Sequence, residues 1–540
     1  MPIPTGGAWP PPAYGLAYAA YRDWDAWYTG DPDRLRTVYL NRTVAGQSLP
    51  PSQRVRAGQY AGGIVGYLSR WLWGNPPTPG QRDGRLHVPL PADLAATAAN
   101  LLFAEPPTLT SENVTVQARL ELLQEDGLNT TLLHAAEADS AFGDVYLRPV
   151  IDRDVYPDRA FLGTVHADGA LPVIRWGRLV EVTFWSELEN DGQRVIRLLE
   201  HHDVVTGADG SRAGRIEYRV YEGTPTQLGR AISLADHAGS THLADLVDET
   251  GAQATGLDRL DVVRIANCGP QRRWRTEPGL KYLGRSDFDG NEQIFDRIDE
   301  TWTSWMRDIR LARARIMIPD YMLQSNGPGQ GATWDADREV YAAINALPVT
   351  GNATGQGITL SQFAIRHAEH KATADALTEV AMRHAGLSAQ TLGEEGDVAV
   401  TATEVQARER QSFTTRGNRI QGSWRAGVAD AVELLLAVER AQLNGKAEPQ
   451  RPNVEFGDSV SEAPETVART VQLLDAANAI SIETKVRMVH PDWDDEQVRD
   501  EVNRIREDEP TPVDVGSSLG ALAGNQPNGG NEGEGQPGEE

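Results

Sequence analysis

The sequence predicts an α+β fold: mainly helical, with one antiparallel β meander and a pair of long helices bracketing a small irregular module. Three observations carry this. Between about 144 and 267 apolar residues recur every second position. Val180, Val182 and Phe184 alternate with Glu181, Thr183 and Trp185, and Ile216, Tyr218 and Val220 with Glu217, Arg219 and Tyr221. Such alternation belongs to strands with one buried and one wet face. After Gly284 the period changes. Ile294, Ile298, Trp302, Trp305, Ile309, Ala312 and Ile316 follow at spacings of 4, 4, 3, 4, 3 and 4, a near-heptad helical stripe. A second helical pattern, Ala-rich, runs from about Thr359 to Ala385 and matches the first in length, roughly 40 Å each.

Taken in order, Met1 to Pro12 is rich in Pro and Gly and is expected to form a mobile arm. Helical patterns interrupted by Gly and Pro continue past Trp73. The apolar run Leu101 to Ala104 is stopped by Pro106 and Pro107. Val116 to Ala138 reads as one helix, with Leu120, Leu123, Leu128 and Leu132 near helical spacing. In the meander, Asp191-Gly192 and Asp209-Gly210 supply turns. Asp287 is a candidate N-cap region for the first long helix, and Pro319 a stop. Gly and turn residues dominate 326–357, around a short helical piece from Trp334 to Ala346. Gly386 to Val400 is a loop by composition. Thr403 to Leu443 reads as one very long helix in which Gly417, Gly422 and Gly427 predict a bend. Glu448 to Gly457 is a linker or edge strand. Two or three short helices follow, one lined by Val467, Val471 and Leu474 and another by Val498, Val502 and Ile505, with Asp494 and Gln497 placed like a capping box. From Thr511 the composition of Gly, Pro, Asn and Glu is that of a disordered tail.

At 540 residues the chain exceeds one ordinary core, so several regions are expected. Its formal net charge of -26 repels nucleic acid at long range and excludes a generic DNA-coating protein. One cysteine, Cys268, forbids an intrachain disulfide and reads as a small buried hydrophobe. No basic and apolar leader opens the sequence, and no run approaches the ~18 apolar residues of a membrane span, so no membrane is expected as partner.

The signatures of catalysis are missing. No Gly-x-x-x-x-Gly-Lys-Ser/Thr occurs; Asn444-Gly445-Lys446-Ala447 lacks the first Gly and the hydroxyl. The one Gly-x-Ser-x-Gly string, Gly516 to Gly520, falls in the tail of Gly, Pro, Asn and Glu, where no strand-to-helix elbow is expected. His367 and His370 share a helix face and, with His384, are the material for a metal-dependent hydrolase, but the zincin pattern is absent and polar stalk residues are the plainer reading. His201 and His202, adjacent on a strand, point to opposite faces. No enzymatic activity, cofactor or metal is expected. Basic residues cluster: Arg264, Arg272, Arg273, Arg275, Lys281 and Arg285 before the first long helix; Arg307, Arg310, Arg313 and Arg315 in its second half; Arg408, Arg410, Arg416, Arg419 and Arg425 on the longest helix. Salt bridges to acidic neighbours are one reading, and subunit or phosphate contacts the other.

Several segments in combination resemble the portal proteins of long-tailed phages of Gram-positive hosts. They are Leu102-Phe103-Ala104-Glu105-Pro106-Pro107, Leu283-Gly284-Arg285-Ser286-Asp287-Phe288, Thr401-Ala402-Thr403-Glu404-Val405 with Arg408-Glu409-Arg410, Ala479-Ile480-Ser481-Ile482-Glu483-Thr484, and His490-Pro491-Asp492. The resemblance spans roughly residues 100 to 510. It implies a portal fold: a wing over 1–286, stem helices over 287–318 and 359–388, a clip over 319–358 and a tunnel loop over 389–401. The long kinked helix and return to the wing would take 402–460, and a helical crown 461–510. It further implies a homo-oligomeric ring, twelvefold in the virion, at one capsid vertex. Double-stranded DNA would pass through it during packaging and ejection. Terminase large subunit, head-tail adaptor, major capsid and scaffold proteins would be its partners, and the host cytoplasm its place during assembly. The tunnel-loop residues would be Gly393, Glu394, Glu395, Gly396 and Asp397, whose acidity disfavours gripping phosphate. Ile298, Trp302, Trp305 and Ile309 would form a subunit-packing stripe. Arg307, Arg310, Arg313, Arg315, Arg408 and Arg410 would make subunit or phosphate contacts. A scaffold or other capsid assembly protein is the alternative.

Overall fold

The computed structural model describes residues 3–44, 86–311, 315–317, 359–361, 365–388, 402–457, 464–477, 479–490, 493 and 495–508. They fall into two compact units, Met1–Gly457 and Asp458–Glu540. Helices and antiparallel sheets occur together, so the chain is α+β.

The meander is the largest of the sheets in the described residues of the first unit. Its strands β4 (Ala170–Arg175), β5 (Arg178–Asn190), β6 (Val195–Thr206), β7 (Arg212–Thr224) and β8 (Gln227–Ile232) pair antiparallel in chain order, and β9 (Ala252–Ala254) adds to β7. The expectation of one wet face is not met, because both faces are partly covered. On one, Trp185, Leu199 and Tyr221 join the core built by helix α1 (Gly15–Thr29). On the other, Val182 and Phe184 pack with Tyr146 of strand β2 (Asp144–Val150). Aromatics explain the double coverage: Trp185 and Tyr221 occupy positions that a one-sided sheet would leave polar.

The N-terminal segment supplies that cover and is no mobile arm. Ile3, Trp9 and Pro11 are buried. Trp9 N donates to Thr226 O at 2.9 Å and Leu228 N to Gly7 O at 2.9 Å, so the segment pairs with the sheet edge. In α1, Tyr18, Tyr21, Trp24 and Trp27 recur every third residue and are all buried. Tyr18 Oη donates to Ala170 O at 2.9 Å, and Trp24 Nε1 to Glu292 Oε1 at 3.2 Å.

The second core of this unit is helical. Helix α3 (Leu90–Leu102) precedes α4 (Val114–Glu125) and α5 (Leu128–Phe142), after α2 (Pro32–Val44) nearer the start. The single helix expected over 116–138 is therefore two. The break is at Gly127, whose φ of +92° is open to glycine and interrupts the helical ladder. Asn113 caps α4, its Oδ1 accepting from Thr115 N at 3.0 Å. The long helix runs as α9 (Ala402–Arg419), a π-helical turn (Ile420–Trp424) and α10 (Arg425–Gln442). The bend predicted from glycines takes the form of that π turn, which contains Gly422. Val428, Ala431, Val432, Leu435 and Leu436 of α10 bury against α5, β2 and strand β10 (Val263–Ala266). The expected linker or edge strand is strand β13 (Asn453–Glu455), paired with β1 (Thr108–Thr110).

Among its described residues the second unit holds three helices, Pro464–Ala476, Ile482–Val489 and Asp495–Asp508. Val486, Val498 and Val502 form its core, with Ile482, Trp493 and Ile505 against them. Ser481 caps the second of these helices through Thr484 N. Asp494 of the expected capping box and the tail from 509 onward lie outside the described residues. None of the described helices is long and apolar enough to cross a membrane.

Candidate functional site

The stripe singled out in the sequence lies on the first of two paired helices. Helix α7 (Glu292–Leu311) has 20 residues and α8 (His367–Ala385) has 19. Both are roughly 30 Å long, shorter than expected because 315–317 and 359–361 are strands. Those strands, β11 (Arg315–Met317) and β12 (Thr359–Ser361), pair antiparallel. The helices also lie antiparallel. At one end Asn291 Nδ2 donates to Ala381 O at 3.2 Å and His384 Nε2 to Asp289 O at 2.9 Å. At the other, Asp308 Oδ2 meets Arg366 Nη2 at 2.9 Å and His370 Nε2 at 3.0 Å. Trp305 stacks on His370, 6.2 Å between ring centres with planes 8° apart, and meets Trp302 at 5.1 Å with the rings tilted by 34°. The hydrogen bond with His370, and after it the one from Arg366, hold the Asp308 carboxyl below the usual range against its partial burial.

The base of this pair is the segment Leu283 to Phe288. Gly284 passes so close to Gly143 that a Cβ would sit 1.8 Å from Gly143 O, which leaves room for no other residue. Gly284 N donates to Asp144 Oδ2 at 2.8 Å, and Ser286 Oγ to Ala141 O at 2.5 Å. Asp287 accepts from Ser140 Oγ at 2.6 Å and is held by Arg419 Nη2 at 2.8 Å to both oxygens. Asp287 is thus the partner of an arginine on α9 and not the N-cap of α7. Arg264 pairs with Asp144 at 2.6 Å. Asp139, 1% exposed, completes the cluster, and neither carboxylate oxygen has a hydrogen-bond partner. Three buried carboxylates thus face two guanidiniums. Burial, and then the nearby Asp144 charge, push the Asp139 carboxyl well above its ordinary range. Burial also raises Asp144, against the pull of Arg264.

A second charged network lies inside the sheet. His202, 1% exposed, has Asp261 Oδ1 at 2.8 Å from Nδ1 and Glu200 Oε1 at 3.2 Å from Nε2. Burial alone would depress this imidazolium, but Asp261 and Glu200 reverse the effect and hold it at about 9. Burial raises Glu200, yet Arg148, His202 and Tyr218 bring it down to about 2. His201 faces the other way, with Thr183 Oγ1 at 2.8 Å from Nδ1.

Of the residues singled out by sequence, Ile298 is 1% exposed and packs in the chain's own core, so it cannot serve a contact between subunits. Trp302, Trp305 and Arg307 are half-buried on α7, and Ile309 is 40% exposed. Arg410 is exposed on α9. Arg310 and Arg408 lie in helices and Arg315 in a strand, with side chains outside the described ones; Arg313 and Gly393, Glu394, Glu395, Gly396 and Asp397 lie outside the described residues altogether. Arg416 and Arg419 are structural: Arg416 donates from Nε to Leu101 O at 2.7 Å and from Nη2 to Gly457 O at 2.6 Å, and Arg419 binds Asp287. His384 sits fourteen positions along α8 from His370, about 21 Å, so the three-histidine metal site does not form. Cys268 is partly buried, with Sγ donating to Arg285 O at 3.2 Å; burial foremost pushes its thiol up to about 11, as an inert residue requires. Sequence reading missed Asp139 and the Asp287–Arg419 pair. The only signal was a carboxylate inside a helix otherwise apolar on that face.

No family model and no curated protein matches this chain. Among solved structures it is similar to the neck of an empty GTA particle computed with C6 symmetry. That likeness has 14% identity, 77% of this chain, 95% of that chain and a TM-score of 0.36. It is also similar to the neck of a native GTA particle computed with C12 symmetry, at 14% identity, 81% and 92% coverage and a TM-score of 0.32. Both likenesses are coarse.

Proposed function

We propose that this chain is a portal-type subunit. Copies of it would form a closed ring at one vertex of a phage-like capsid, a conduit for double-stranded DNA with no catalysis of its own. One observation carries the reading: an antiparallel helix pair, tied by Asp308 to Arg366 and His370, ends in a two-stranded ribbon that brackets 318–358. A stem that carries a compact tip away from a larger body needs such a pair. The Leu283 to Phe288 segment, which resembles the portal family, forms the base of the pair and locks it to the long helix through Asp287 and Arg419. The net charge of -26 suits a bore along which DNA slides without gripping. In this reading the terminase large subunit and the head-tail adaptor dock at the tip, and 389–401 faces the DNA.

Electron microscopy of the purified full chain is the test. Rings with a central hole, at a fixed stoichiometry by native mass measurement, are the expected result. A chain that stays monomeric at high concentration across salt and pH conditions overturns it. Copy number per particle separates a portal from a scaffold protein, since a portal occupies a single vertex.

A further inference from the structure

The turn joining β4 to β5 is built from Arg175, Trp176, Gly177 and Arg178. Arg175 and Arg178 pair across it, leaving a two-residue loop. Trp176 has φ 53° and Gly177 φ 78°. Two successive positive φ values define a type I′ hairpin, whose preferred sequence is Asn-Gly or Asp-Gly. Tryptophan there is held in the left-handed region, which disfavours a bulky side chain. It gains nothing within the chain in return: at 91% exposure it is the most exposed large apolar side chain among the described residues. A local rule broken without local benefit marks a position kept for something else.

The surroundings say what that is. Arg175 and Arg178 are exposed, and neither forms an ion pair among the described residues. The β6–β7 turn opens at the same end of the sheet, where Arg212 pairs in register with Thr206 and is likewise exposed and without an ion pair. The carboxylate of that turn, Asp209, is engaged with Ser211. Three guanidiniums without an ion pair among the described residues, two of them flanking an exposed indole and the third at the same end of the sheet, thus stand out on a chain of net charge -26. Copies of so acidic a protein repel one another unless a cationic patch on one meets an acidic face on the next. A head-to-tail ring contact needs two such unlike patches. Tryptophan and arginine are the residues that dominate contact energies.

We propose that the Trp176 tip docks on an acidic face of a neighbouring copy of this chain, the indole buried in the contact and Arg175 and Arg178 paired with its carboxylates. This rests on the ring reading above. Nucleic acid is the other anionic partner such a tip could take, and the chain's overall charge disfavours it.

The test uses the full chain carrying Trp176→Asn or the double change Arg175→Glu with Arg178→Glu, beside the unchanged protein. Asn-Gly is the better I′ turn, so Trp176→Asn leaves the hairpin at least as stable, and unaltered thermal unfolding of the dissociated subunit checks this. Mass photometry across a concentration series should show the unchanged chain closing into rings, and both variants needing at least about tenfold higher concentration to do so. If the unchanged chain assembles and Trp176→Asn assembles at the same midpoint, the inference fails while the ring reading stands. If the unchanged chain never assembles, the ring reading fails and takes this inference with it. Normal assembly combined with weakened binding of a labelled DNA duplex by the variants overturns the inference in favour of nucleic acid.

Discussion

At the scale of single residues the buried charges set how the fold responds to pH. Asp139 adds a third carboxylate to a site with two guanidiniums, and its oxygens have no partner. Its folded pKa lies above the ordinary 3.8, so the penalty is absent below that value and grows as pH rises through the folded pKa. Asp139→Asn removes the charge at nearly constant volume. It is expected to raise stability at neutral pH by about 1–3 kcal/mol and to leave stability near pH 4 unchanged. Urea midpoints of both proteins at pH 4 and 7.5 check this, and a variant weaker at pH 7.5 would show that the charge is paired. His202 acts in the opposite chemical direction with the same slope. Its folded pKa, about 9, exceeds the ordinary 6.5. The stabilisation from Asp261 and Glu200 is therefore complete below 6.5 and lost as pH climbs through 9. His202→Gln should flatten that loss in thermal unfolding between pH 6.5 and 9.5, and an unchanged slope would assign it to other groups.

At the scale of elements, the helix pair divides one stripe between two uses. Ile298 faces α8 and the chain's own core, whereas Trp305 is half-exposed against His370. Trp305→Asp in the dissociated subunit therefore loses only part of an aromatic contact, and a cost of about 1–2 kcal/mol is expected. Inside an assembled ring a fully desolvated indole would make the same change several-fold more damaging. Comparing urea unfolding of subunits with ring dissociation separates the two, and equal small effects would remove Trp305 from any interface. The helix pair was legible because its spacing is helical and its bulky residues keep to one face. Its ends were not. Apolar spacing continues to Ile316, yet 315–317 pairs with 359–361, and pairing between segments over forty residues apart leaves no mark in a local period. The same blindness hid the break at Gly127, where one glycine inside good helical spacing reads as tolerated until a φ of +92° is seen. It also hid the cover over the meander. Proline and glycine in the first dozen residues suggested an arm, but Trp9, whose ring packs edge-on against Trp185 at 5.3 Å, ties it down.

At the scale of the whole molecule the dominant quantity is charge. Every copy carries a formal -26, and exposed carboxylates on neighbouring copies interact over a distance that salt controls, about 10 Å at 0.1 M ionic strength. Contacts between desolvated groups, such as an indole or a paired arginine, are screened far less. Raising salt therefore weakens the repulsion more than the attachment, and assembly should strengthen as salt rises from about 20 to 200 mM. The sign is diagnostic. A particle held together by scattered surface ion pairs would fall apart over the same range, because those pairs are what salt screens first. Sedimentation velocity at fixed protein concentration measures the assembled fraction directly. A fraction that falls steadily with salt would mean that surface ion pairs hold the copies together, and would leave the acidic surface without the role given to it here, that of keeping both DNA and stray copies at a distance.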